Sequence, residues 1–254
     1  MKSVLVTGGA RRVGKALCLG LARAGWRVVV HYHTSGEAAR AVVARIREAG
    51  GEAEALAADL ACPEAAAALI ERAGGALDCV INNAAVFEND SPFALDLAAW
   101  DTAMAVNARA PAIIGQRYHA AVEQRGGEGC IINILDNKLF ALNPDFYSYT
   151  LSKAALHAAT RMMAMAYAPR VRVCGIAPAL TLISSKQSAA GFVRAHRMNP
   201  LRRGVTPDDI IEAVKFIAAS PALTGQVIVI DSGQSLMGLP RDVAFLDGGA
   251  DDLA

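Results

Sequence analysis

The sequence predicts an α/β fold, a doubly wound parallel sheet of about seven strands with helices on both faces. Three observations predict it. Strand-like and helix-like patterns alternate along most of the 254 residues, and a βαβ alternation implies right-handed crossovers into one parallel sheet. Several strand patterns are unbroken apolar runs, as strands covered on both faces require. The first run leads directly into a glycine-rich turn that opens a helix. Hydrophobic residues make up 54% of the chain and charged residues 19%, enough apolar mass for a large core.

The elements follow in order. Residues 4–6 read as a strand, and residues 14–24 as a helix ended near Gly25, where a left-handed residue would close it. Residues 27–31 are a second strand. Residues 37–49 are an amphipathic helix stopped by Gly50-Gly51. Residues 53–57 are a third strand, and Pro63 opens a helix over 64–73. A fourth strand covers 78–81, and helical patterns run over 98–124. A fifth strand covers 129–135, followed by a helix over 148–168 closed by Pro169. Residues 171–176 are a sixth strand, 207–220 a helix and 227–230 a seventh strand. No repeat or low-complexity linker divides the chain, so residues 1–254 read as one domain. Two stretches lie outside the pattern. Residues 181–206 read as a mobile substrate lid, with polar reach from Ser184, Ser185, Lys186, Gln187, Arg194, His196 and Arg197. Residues 236–254 read as a tail, one that could reach a neighbouring active site.

A net charge of +1, with scattered cations, argues against a nucleic-acid or membrane surface. No apolar stretch nears the roughly 20 residues that span a bilayer, and Met1-Lys2-Ser3 leads into a strand rather than a signal peptide. Cys18, Cys62, Cys79, Cys130 and Cys174 are isolated, without a CxxC. They read as reduced thiols of a cytoplasmic protein.

Thr7-Gly8-Gly9 and Gly14 sit between a strand and a helix, where free N–H groups and the helix dipole suit a pyrophosphate. A purely structural turn is the competing reading. In such folds the end of the second strand meets the adenosine ribose, and a carboxylate there selects NAD. Here His33, Thr34 and Ser35 offer donors and no carboxylate. With Arg12 able to reach across, this suits the 2′-phosphate of NADP(H). His31 and His33 lack a third partner for a metal site. Tyr149 has Lys153 four residues on, on the same helix face. The cation is expected to lower the phenol's titration, unless the two are a chance surface pair. Asn82-Asn83-Ala84, Asn107, Asp136 and Pro178 fall at or near strand carboxyl ends, where open parallel sheets bind ligands.

In order and spacing, these motifs, with the late Asp231-Ser232-Gly233, resemble the short-chain dehydrogenase/reductases over residues 3–235. The resemblance implies a Rossmann-type fold and a homotetramer assembled through residues 103–121 and 154–168. It implies Tyr149 as general acid, Lys153 on the nicotinamide ribose and Asn107 in a proton relay. Thr7, Gly8, Arg11, Arg12, Val13 and Gly14 would hold the cofactor, with Asp59, Leu60, Asn83, Ala84, Ala85, Pro178 and Thr181. Three positions depart from the family: Asp136 replaces its serine, Arg12 a loop glycine and Ala179 the glycine after Pro178. The first two, with His31–Ser35, resemble pteridine reductases and dihydromonapterin reductases. Phe87 matches their pterin-stacking phenylalanine, and Thr181 a hydroxyl residue of their site.

The resemblance implies NADPH-dependent reduction of a pterin C=N bond, the substrate held by Arg12, Phe87, Asp136 and Tyr149. In a blander reading Phe87 packs only protein, and Asp136 pairs with Lys138 or a backbone group. A carbonyl or quinone reductase and a non-catalytic NADP(H)-responsive module are the alternative functions.

Overall fold

The computed structural model describes residues 1–74, 76–183 and 188–246. Seven strands form one sheet, β1 (Ser3–Val6), β2 (Arg27–Tyr32), β3 (Ala53–Ala57), β4 (Cys79–Asn82), β5 (Gly129–Ile134), β6 (Val171–Pro178) and β7 (Val227–Ile230). Their order is β3-β2-β1-β4-β5-β6-β7 and every pairing is parallel. Strand β1 explains why the apolar runs are continuous. Val4 and Val6 enter one core and Leu5 the other, all fully buried.

The first core lies under α1 (Arg12–Arg23), α2 (Gly36–Glu48) and α8 (Pro207–Ala219). The second lies under α3 (Pro63–Arg72), α5 (Ala110–Gln124) and α6 (Tyr147–Ala166). The sheet winds outward in both directions from β1 and β4. The crevice at their carboxyl ends is therefore the topological switch point, where ligands bind in such sheets.

The helical run over 98–124 is not one α-helix. It comprises α4 (Leu97–Ala103), a π-helical stretch (Met104–Arg109) and α5. Pro111 has no N–H to give to the carbonyl of Asn107, four residues back, so the α-pattern is already broken there. Residues 181–206 contain α7 (Ala189–Arg197), whose Ser188 Oγ accepts from Gly191 N at 3.0 Å. Ser184, Ser185, Lys186 and Gln187 lie outside the described residues. In the tail, residues 234–237 and 243–245 form 3₁₀ turns on the body of the same chain, and residues 247–254 lie outside the described residues. No described helix is long and apolar enough to cross a membrane.

Candidate active site

The glycine loop joins β1 to α1. Gly8 adopts φ +64°, which favours glycine. A Cβ on Gly14 would lie 2.1 Å from the Gly8 carbonyl oxygen and 2.6 Å from Asn83 Nδ2. The backbone is thus drawn in so tightly that only glycine fits. Arg11 leads into α1 with extended backbone and no side-chain cap. The first N–H groups of α1, from Arg12, Val13 and Gly14, stay available at the positive end of the helix dipole. This open terminus beside a glycine-shaped hollow fits a dinucleotide pyrophosphate.

Arg12 itself stands at φ +49°, in the left-handed region. The backbone keeps a conformation that glycine adopts readily while carrying a long side chain. That side chain donates to the Ile183 carbonyl at 2.6 Å and the Leu182 carbonyl at 3.0 Å. Arg12 therefore ties the glycine loop to the start of the 181–206 segment. Thr7 and Asn83 brace the loop from behind. Thr7 Oγ1 accepts from Asn83 N at 2.9 Å and Ala84 N at 3.0 Å, and Asn83 Nδ2 donates to the Thr7 carbonyl at 2.9 Å. Both side chains lock the end of β1 to the end of β4, with Ala85 following in the same crossing.

Sequence reasoning missed the support that His31 gives. It is buried, with Nδ1 accepting from Gly8 N at 3.1 Å and Nε2 facing the Ala58 carbonyl at 3.1 Å. This arrangement fits a neutral ring protonated on Nε2. Burial drives the imidazole down to about 4. At the end of β2, His33 and Thr34 are exposed and Ser35 is half-buried with no capping bond to α2. Asp59 Oδ1 accepts from Ala61 N at 2.9 Å, and its other oxygen is 3.9 Å from His33 Nε2. Leu60 is buried beside it. At the far side of the crevice Pro178 ends β6, and Thr181 Oγ1 donates to the Ala179 carbonyl at 2.8 Å.

The proton-bearing groups meet above β5. Tyr149 Oη donates to Asp136 Oδ2 at 2.8 Å. Asp136 Oδ1 accepts from the backbone N–H of Lys138 at 2.9 Å. Asp136 thus pairs with the Tyr149 hydroxyl through one oxygen and with a backbone group through the other. Lys153 is buried, donates from Nζ to the Ile134 carbonyl at 2.6 Å, and lies 5.8 Å from the Tyr149 ring centre. The expected lowering of Tyr149 does not occur in this environment. Burial and then the Asp136 charge push the phenol well above its ordinary range. Burial pushes Asp136 up as well, and brings Lys153 down to about 8 against the pull of Asp136. The phenol's proton lies in its hydrogen bond to Asp136.

Asn107 sits in the π-helical stretch and is fully buried. It accepts from Val86 N at 2.9 Å and donates to the Val86 carbonyl and Ser152 Oγ, each at 3.0 Å. Its side chain therefore fixes the chain leading to Phe87. Asp90, also missed by sequence reasoning, caps α6 from outside. One oxygen accepts from Ser148 N at 2.9 Å and the other is bonded to Ser148 Oγ. Phe87 stands edge-on to the Tyr149 ring at 4.6 Å and stacks on Phe146 at 4.2 Å, and it is 46% exposed. Phe146 occupies φ +53°, a left-handed conformation rare for a bulky residue and costing roughly 1–3 kcal/mol.

Comparison with known proteins agrees with this fold. Residues 8–235 match a family model described as enoyl-(acyl carrier protein) reductase. The chain is 36% identical to an uncharacterised oxidoreductase of Mycobacterium tuberculosis, covering 96% of each chain. It is 31% identical to a 3-oxoacyl-[acyl-carrier-protein] reductase of Synechocystis, over 90% of this chain and 95% of the relative. Among solved structures it resembles the FolM alternative dihydrofolate reductase 1 of Brucella canis, complexed with NADP. The TM-score is 0.88 at 39% identity, over 92% of this chain and 94% of that one. Sheet order, glycine loop, tyrosine–lysine pair and these matches place the chain in the short-chain dehydrogenase/reductase family, oxidoreductases that use NAD(P)H.

Proposed function

We propose that the protein reduces the C=N bond of a dihydropterin, of the dihydrobiopterin, dihydromonapterin or dihydrofolate type, with NADPH. The observation that carries this reading is the Tyr149–Asp136 hydrogen bond beside the half-open face of Phe87. The serine that the family places at position 136 can donate to a carbonyl oxygen beside the tyrosine, and an ionised carboxylate there cannot. A ring nitrogen that gains a proton is served by a tyrosine–carboxylate couple. The solved neighbour named as a dihydrofolate reductase and complexed with NADP supports the same reading.

The residues fit the cofactor. The N-terminus of α1 would hold the pyrophosphate, His33, Thr34 and Ser35 the 2′-phosphate, and Lys153 the nicotinamide ribose. When bound, the reduced nicotinamide supplies hydride to the ring carbon. Tyr149 holds the proton for the neighbouring nitrogen and delivers it there, and Asp136 orients the phenol and takes part in its reprotonation. Phe87 offers its exposed face to the flat ring, worth about 0.5–1.5 kcal/mol beyond burial. Two charge-assisted contacts to the 2′-phosphate, at roughly 1.5–3 kcal/mol each, would favour NADPH over NADH by about two to four decades. Residues 181–206 act as the lid, and the protein works as a cytoplasmic homotetramer.

A second reading, reduction of a carbonyl or quinone, is favoured by the named function of the Synechocystis relative. Steady-state assays of dihydrobiopterin and dihydromonapterin beside ketones, with NADPH and NADH, decide between them. Asp136→Ser is expected to damage pterin turnover and spare NADPH affinity. Unchanged turnover would remove Asp136 from the proton couple, and equal Michaelis constants for the two nucleotides would remove the NADPH preference.

A further inference from the structure

Three aromatic rings lie in one column behind the reacting groups. Phe87 stacks on Phe146 with their planes 23° apart, and Phe146 stacks on Phe245 at 5.4 Å and 16°. Phe87 is 46% exposed, whereas Phe146 between its two neighbours is 7% exposed. The column ends in Phe245, a residue of the tail.

The tail is fastened on both sides of that ring. Arg241 Nε and Nη2 grip the buried Asp145 carboxylate at 2.7–3.0 Å, and Asp242 N donates to the same carboxylate at 2.8 Å. Asp145 directly precedes Phe146. Asp242 Oδ2 accepts from Lys138 Nζ at 3.3 Å, and that ammonium also lies 5.0 Å from the Phe146 ring centre. On the other side, Val243 and Leu246 pack with Ala195 of α7. The left-handed Phe146 is therefore held by tail contacts on its backbone neighbour and on its ring.

We propose that residues 239–246 complete the substrate site of their own chain, with Phe245 a positioning residue that fixes the Phe87 ring through Phe146. A flat substrate then adds a fourth ring to a column already assembled, without having to order Phe87 as it binds. The proposal rests on the reading that Phe87 receives the substrate ring.

The test compares Phe245→Leu, Phe245→Tyr, Phe87→Leu and the double Leu variant, all in the full chain. Phe245→Leu is expected to raise the KM for dihydrobiopterin by about 2- to 10-fold, the range of one aromatic stacking contact, with KM for NADPH unchanged. Phe245→Tyr, which keeps the ring, restores it. The double variant is no worse than Phe87→Leu, because the two act as one unit. Additive losses, an unchanged KM in Phe245→Leu, or a parallel rise for NADPH that tyrosine does not reverse would overturn the proposal. A wild-type enzyme that reduces no pterin sinks the pterin reading alone. In that case a crystal structure of Phe245→Leu decides the positioning role. A Phe87 ring displaced from Phe146 supports it, and an unmoved ring overturns it.

Discussion

At the scale of single residues, the site divides into groups that a chain-local pattern reveals and groups that only the fold reveals. Tyr149 and Lys153 share one helix face by spacing alone, and Asp136 stands where a strand ends. All three were legible for that reason. His31 was not, because its partners, Gly8 and Ala58, come from two other crossings of the chain. Its burial carries a consequence for stability. Unfolded histidine titrates near 6.5 and folded His31 near 4. Between those values the unfolded chain binds a proton that the folded chain refuses. The stabilisation is complete above pH 6.5 and is lost as pH falls toward 4, up to about 3 kcal/mol. Urea unfolding at pH 7.5 and pH 4.5 should show this loss, and His31→Gln should reduce it. An equal slope in the variant would exclude His31 as the source. Tyr149→Phe is expected to cost at least about 100-fold in turnover, with NADPH affinity retained in fluorescence titration. Retained turnover would remove its role as acid. At Arg12 the left-handed backbone makes a finer prediction. Arg12→Gly should unfold at a temperature above Arg12→Ala, since alanine pays about 1 kcal/mol there, or roughly 2–4 °C for a chain of this size. Both variants lose the bonds to Leu182 and Ile183 alike.

Secondary elements were legible where their signal is periodic and lost where one residue shifts the period. Helical patterns were expected over 98–124, and the π-helical turn within them went unseen because it leaves apolar spacing nearly intact on either side. The shift nevertheless governs the site, since it lies at Asn107, whose amide holds Val86 and Ser152 together. The start of α6 tells the same story. Phe146 offers no side-chain cap, and Asp90, far back in the chain, supplies one. Because α6 carries Tyr149 and Lys153, the cap fixes the geometry of the proposed proton donor. Asp90→Ala should lower stability by about 1–2 kcal/mol in denaturant titration and reduce turnover, and Asp90→Asn should recover part of both. A variant as stable and active as the wild type would show that α6 needs no outside cap.

For the whole molecule, the sheet was legible because every central strand is covered on both faces, and continuous apolar runs report that directly. Assembly is a different matter, since small-residue helices serve an internal core and a partner surface equally well. Some alanines of these helices pack inward, and others border a groove. Ala110 and Ala164 are buried in the chain's own core. Ala105, Ala108, Ala155 and Ala159 line an open groove of about 820 Å³, with Ala61, Thr102 and Arg109 also at its walls. Alanines there would let a helix of a second copy approach closely, which bulkier side chains would prevent. Under the proposed tetramer, X-ray scattering in solution should give the mass of four chains. Thr102 is exposed on the groove wall, so Thr102→Arg costs the isolated chain little but sets a long cation against the partner. That variant should scatter as a smaller species while keeping its unfolding cooperativity. A monomeric wild type would refute the assembly outright, and a tetrameric Thr102→Arg would move the interface to another face of the molecule.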